Sequence, residues 1–180
     1  MLQSNRHDHK AERVSKLVLA GAAAPCWTKR PDFPYGLEKS AVDAFIGACH
    51  SDRAQLMADF SKDFFRNETA VTPRFADWFF NMNMGASPYA TASCLVVLQD
   101  ADLRADLSRV NVPTVIFHGT QDKIVPFALG EQAANGIKGA QLIRFESSGH
   151  GLFYEEKEKF NEELTNFVAG KRAAAVGGTR

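Results

Sequence analysis

Three apolar runs, each too short to stand alone as a helix, constrain this chain more than any other feature. They read VSKLVLAG (14–21), VPTVIFHG (112–119) and AQLIRFESS (140–148). Such runs, bounded by glycine or serine, have the pattern of buried strands. Pro113 stands at the start of its run, where a missing N–H is tolerated. The stretches between the runs are helical in period. Strands that alternate with helices pair in parallel through crossover connections. The expected class is α/β, with a mostly parallel sheet of about three strands.

The helices follow from spacing. Val42, Phe45, Ile46 and Cys49 fall at i, i+3, i+4 and i+7, one apolar stripe. Leu56, Phe60 and Phe64 continue it in the next segment. Thr72-Pro73 and Ser87-Pro88 each read as an N-cap followed by proline at the first helical position. Ala128 to Ile137 is expected to be helical. Phe160, Leu164, Phe167 and Val168 are expected to form the inner face of a last helix. A parallel crossover needs only about a dozen residues, yet more than 70 helical residues (38–110) separate the first two strands. That excess reads as an inserted cap over the carboxyl edge of the sheet, where open α/β sheets bind ligands. The expected division is a core of residues 1–37 and 111–170, a helical cap of 38–110, and a frayed tail of 171–180.

Charge narrows the function classes. Lysine plus arginine and aspartate plus glutamate each number 21, so no net field invites nucleic acid or an anionic membrane. No apolar run approaches the ~20 residues needed to span a bilayer. The polar N-terminus carries no h-region of a signal peptide. Cys26, Cys49 and Cys94 are odd in number and lack C-x-x-C spacing, which fits reduced thiols and a cytoplasmic location. His7 and His9 stand two apart, as in some metal sites, but a solvated polar segment is the expected reading, and no metal is implied.

Two polar turns carry the chemistry. In HGTQDKIVP, Asp122 lies three residues beyond a strand, where it could orient an imidazole or simply form an Asx turn or helix cap. In SSGHG, His150 sits between two glycines just past the next strand, either as a general base with close backbone approach or as a solvated turn residue. Both lie at carboxyl ends of adjacent parallel strands, acid before histidine, and together they favour the catalytic reading. Cys26, just past the first strand, is a candidate thiol nucleophile or an incidental buried cysteine.

The order and the turns resemble the α/β-hydrolase superfamily, in particular the bacterial cofactor-free haloperoxidase and esterase-like group. RVSKLVLAGAAAP is similar to the sixth strand of that fold. TKRPDFPYG is similar to the cap entry, VPTVIFHGTQDKIVPF to the seventh strand and acid turn, and SSGHGLFYEEKEKFNEELTNFV to the eighth strand, histidine turn and final helix. The resemblance implies Asp122 as catalytic acid and His150 as base. It implies hydrolysis of small apolar esters without a metal or organic cofactor. Trp27, Trp78 and Phe127 are the candidate pocket residues, with Trp27 alternatively packing against the cap and Trp78 alternatively in ordinary helix packing. Some members of that group also support perhydrolysis and halide oxidation. The family's G-x-S-x-G nucleophile elbow does not occur in these 180 residues. The expectation is the C-terminal part of such a hydrolase, with residues 1–12 a remnant of the helix after the elbow. An alternative is an inert binding module that dimerises through an exposed apolar edge strand at Val14 to Gly21.

Overall fold

A computed structural model describes residues 14–67 and 69–170. The polar N-terminal segment with His7 and His9, and the expected frayed tail of 171–180, lie outside the described residues. The three apolar runs form one parallel sheet in the order β1 (Leu17–Ala20), β2 (Thr114–Gly119), β3 (Gln141–Phe145). The register sets Leu17 against Thr114 and Ala20 against Phe117. It also sets Val115 against Gln141 and Gly119 against Phe145. All three carboxyl ends therefore reach the same edge, and the turns after β2 and β3 become neighbours. β2 is central and buried at every position, as a strand covered on both faces must be.

Period-2 alternation along β2 divides the core. Val115 and Phe117 point to one face with Phe145 and Leu152, under Phe160, Leu164 and Phe167. Those last three belong to the C-terminal helix, Lys157–Val168. Ile116 points to the other face and meets Leu107, Ala133 and Ile137. Fully burying a side chain such as Phe117 stabilises the fold by about 2–3 kcal/mol. Val168 departs from the expected inner face of that helix and is 62% exposed. The helix ends there, and Lys16 donates to its final carbonyls, those of Phe167 and Val168. A cation at a helix C-terminus also meets the negative end of the dipole.

In chain order the helices are α1 (Lys39–Ser51), α2 (Arg53–Asp63), α3 (Pro73–Met84), α4 (Pro88–Asp100), α5 (Arg104–Leu107), α6 (Phe127–Gly136), α7 (Leu152–Glu155) and α8 (Lys157–Val168). The first five fill the long interval between β1 and β2. Thr72 and Ser87 cap α3 and α4 as their sequence pairs predict, accepting from the Phe75 and Ala90 N–H groups. Asp52 caps α2 in the same way. α1 packs on α4, and α2 on α3. The buried Gln99 amide reaches from α4 to Asp43 of α1 at 2.6 Å. Arg53 donates to the carbonyls of Asn83, Met84 and Ala86, tying α2 to the end of α3. In α1, Val42 and Cys49 are buried, whereas Phe45 of the expected stripe is exposed. The stripe on α1 is narrower than its spacing predicts because α1 meets the Cys26 and Trp27 cluster through Val42 and Ile46 alone.

Candidate active site

The turn after β2 brings Asp122 over the sheet edge. Its carboxylate is fully buried. Oδ1 accepts from the backbone N–H groups of Ile124 and Val125, each at 2.8 Å. Oδ2 lies 2.8 Å from His150 Nδ1. The two readings of Asp122 therefore coexist, one per oxygen: an Asx-type turn holds Oδ1, and the imidazole meets Oδ2. A carboxylate only accepts, so Nδ1 carries the proton of this bond, and in the neutral imidazole the lone pair is then on Nε2. The His150 side chain is 21% exposed.

Three further residues shape the pair, and the sequence reading missed all of them. Gly21 closes β1 at φ +54°, and its missing side chain makes room for the His150 ring. The Phe64 ring stands edge-on to the His150 ring, with centroids 5.0 Å apart. His118, on β2, is fully buried. Its Nε2–H donates to the Val125 carbonyl at 2.9 Å and lies 3.6 Å from Asp122 Oδ2. Burial pushes the His118 imidazole below its ordinary value. A neutral His118 adds no charge to compete with His150 for Asp122. The signals were present but bland: a glycine at a strand end, a phenylalanine after a helix, a histidine inside an apolar run.

The predicted pocket residues fall in three separate environments. Trp27 is buried, and its indole N–H donates to the Ile124 carbonyl at 2.9 Å, so it supports the acid turn from behind. Trp78 is 55% exposed on α3, beside Phe75. Phe127 packs its edge on His118, with the Arg144 guanidinium over its face at 4.5 Å. Cys26 is fully buried, and its thiol donates to Asp102 at 3.3 Å. Burial, more than that neighbour, pushes the thiol up, the wrong direction for a thiolate nucleophile. Among the described residues, no group of histidine, cysteine and carboxylate side chains could hold a metal ion.

The family model described as TAP-like protein, of the α/β-hydrolase fold, matches residues 79–176. The chain belongs to the α/β-hydrolase superfamily. The chain is 44% identical over 159 residues to the AB hydrolase superfamily protein YisY of Bacillus subtilis, covering 88% of itself and 59% of that protein. It is 32% identical over 162 residues to a non-heme chloroperoxidase of Streptomyces lividans, covering 87% and 58%. Its structure matches an esterase of Exiguobacterium antarcticum at a TM-score of 0.88 and 39% identity, covering 93% of this chain and 62% of that one. The chain thus spans about three fifths of the length of these relatives. No helix among its described residues is long and apolar enough to cross a membrane.

Proposed function

We propose that Asp122 and His150 are the acid and base of an ester hydrolase acting on small apolar esters. The observation that carries this reading is the 2.8 Å contact between His150 Nδ1 and Asp122 Oδ2, with the other carboxylate oxygen pinned by two backbone N–H groups. In this reading the nucleophile is a serine on a G-x-S-x-G elbow carried by chain outside the 180 residues. Its Oγ attacks the ester carbonyl carbon while His150 Nε2 takes the hydroxyl proton. Asp122 stabilises the imidazolium, and the proton then passes to the departing alkoxide. Water repeats the sequence on the acyl-enzyme and frees the acid. The helical block of residues 38–110 acts as a cap that limits water at the site.

The test is hydrolysis of p-nitrophenyl acetate by the longest natural protein that contains this sequence. Asp122→Asn should lower kcat by about 10⁴-fold and His150→Ala by about 10⁶-fold, the scale of triad losses. A loss under tenfold in His150→Ala refutes the assignment. The 180-residue chain alone should not react with a serine-directed phosphonate, and stoichiometric labelling of any of its serines would sink the placement of the nucleophile. A second reading, a binding module without catalysis, draws on β1, which among the described residues pairs only with β2.

A further inference from the structure

The glycines on either side of His150 read from sequence as room for the backbone to approach a substrate closely. The structure fills that room with the chain itself. A Cβ on Gly149 would come within 2.7 Å of the Arg66 backbone nitrogen and 2.8 Å of the Phe65 carbonyl carbon. A Cβ on Gly151 would come within 2.7 Å of the Phe65 ring. The segment 64–66, which follows α2, therefore lies directly on the histidine turn. The Gly151 N–H donates to the Phe64 carbonyl at 2.9 Å.

The same junction holds a buried carboxylate that the proposed mechanism does not use. The Glu155 side chain is only 2% exposed. Its Oε2 accepts from the Gly149 N–H at 2.7 Å and its Oε1 from the Arg66 N–H at 3.0 Å. The Arg66 Nε stands 3.9 Å away. Burying a charge is costly unless it is hydrogen-bonded, and bonds to an ionised acceptor are the strong ones. This carboxylate spends both oxygens on joining two backbones 83 residues apart (149 − 66). Neighbouring Glu156 holds the other side of the turn, accepting from the Ser147 N–H at 2.9 Å and the Ser148 hydroxyl at 2.6 Å. Gly149 is the residue immediately before His150, so its placement sets where the imidazole meets Asp122.

We propose that Glu155 is a positioning residue for His150: its carboxylate latches the histidine turn to segment 64–66, so that turn and segment open and close as one unit. The inference rests on the reading of His150 as the base. It adds that the helical block governs how well that base is aimed.

Nuclear magnetic resonance on the unmodified 180-residue chain gives the first test. The Gly149, Gly151 and Arg66 amides should exchange with solvent through one shared opening, with protection factors agreeing within about threefold. Disagreement beyond about tenfold overturns the latch. In Glu155→Gln one oxygen becomes a donor amide, and one of the two N–H groups loses its acceptor. Gly149 and Arg66 should then exchange about tenfold faster, the scale of one lost charged hydrogen bond, while β2 amides stay protected. The His150 Nδ1 proton signal should shift or broaden. The exposed Glu158→Gln should change neither. Faster exchange with an unmoved Nδ1 signal would make Glu155 a structural tie only and overturn the positioning role. If Glu155→Gln loses β2 protection, Glu155→Asp, which keeps both acceptor oxygens on a side chain one carbon shorter, is judged by the same exchange and Nδ1 criteria. Asp122→Asn separates the underlying reading: an unchanged Nδ1 signal there refutes the Asp122–His150 pair, whatever the exchange data say of the latch.

Discussion

A side chain on Gly21 would press on the His150 ring. A Cβ there would lie 3.0 Å from His150 Cε1, 3.1 Å from Nδ1 and 3.6 Å from Asp122 Oδ2. Gly21, the first residue after β1, is thus one wall of the imidazole's position. Neither Asp122 nor His150 belongs to that strand end, so three separate strand ends define one ring's placement.

Gly21→Ala should therefore act twice. The φ of +54° puts alanine in the left-handed region, at a cost of about 1–2 kcal/mol in stability. The added methyl should also displace the His150 ring from Asp122. Urea unfolding reads the first effect, and the His150 Nδ1 proton signal reads the second. A variant with wild-type stability and an unmoved signal would contradict this geometry.

The strands and both polar turns were legible in the sequence because their signals are local. Each strand is a single apolar run, and Asp122 and His150 follow their strands by a few residues. The walls of the site were not legible, because they arise from residues far apart in the chain. Phe64 meets His150, and Arg66 meets Glu155, across more than 80 residues, and no periodicity records such a pairing. The environments of the candidate pocket residues were not legible for a related reason. Large aromatics are common in cores and on helix faces alike. The sequence alone cannot tell the buried Trp27, hydrogen-bonded behind the acid turn, from the exposed Trp78 on α3.

His118 makes stability depend on pH. Burial holds its folded-state value below the ordinary 6.5. As pH falls through about 6.5, the unfolded chain gains a proton that the folded chain refuses. The stability tied to a neutral His118 is complete above that pH and declines below it. The thermal midpoint should therefore drop on acidification from about pH 8 to about pH 5. His118→Gln should start from a lower midpoint and show a shallower decline. Equal slopes in the two proteins would remove His118 as the cause.

Gly130 tests the packing around the same ring. A Cβ there would lie 2.6 Å from His118 Nδ1 and 2.9 Å from Cγ. The ring is fixed between α6 and the Val125 carbonyl, so it has little room to yield. Gly130→Ala should destabilise the chain by about 1–3 kcal/mol, as overpacking does, despite alanine's better helix propensity. Calorimetry that found a stabilised variant would show that the ring moves aside.

Among the described residues nothing pairs with the outer side of β1, and we expect the 180-residue chain to self-associate there. Leu17 and Gly21 donate their N–H groups toward β2, to the carbonyls of Pro113 and Phe117. Alternation turns the Val18 and Ala20 N–H groups the other way, where they can pair with another strand. Ala20→Pro removes one of those outward donors and leaves the β1–β2 bonds in place. Sedimentation should show association in the unmodified chain and less in Ala20→Pro. A compact monomer in both would count against the edge.

The indole bond between Trp27 and the Ile124 carbonyl also gives the molecule a built-in optical reporter. The chain has two tryptophans, one sealed behind the acid turn and one largely in solvent. An aqueous quencher silences the exposed emitter first and leaves the buried one. The residual fluorescence then comes from an indole bonded to the residue that shares the Asp122 Oδ1 clamp. Any event that loosens that turn, whether acid, heat or a substitution at the latch, would register as a red shift in the unquenched light.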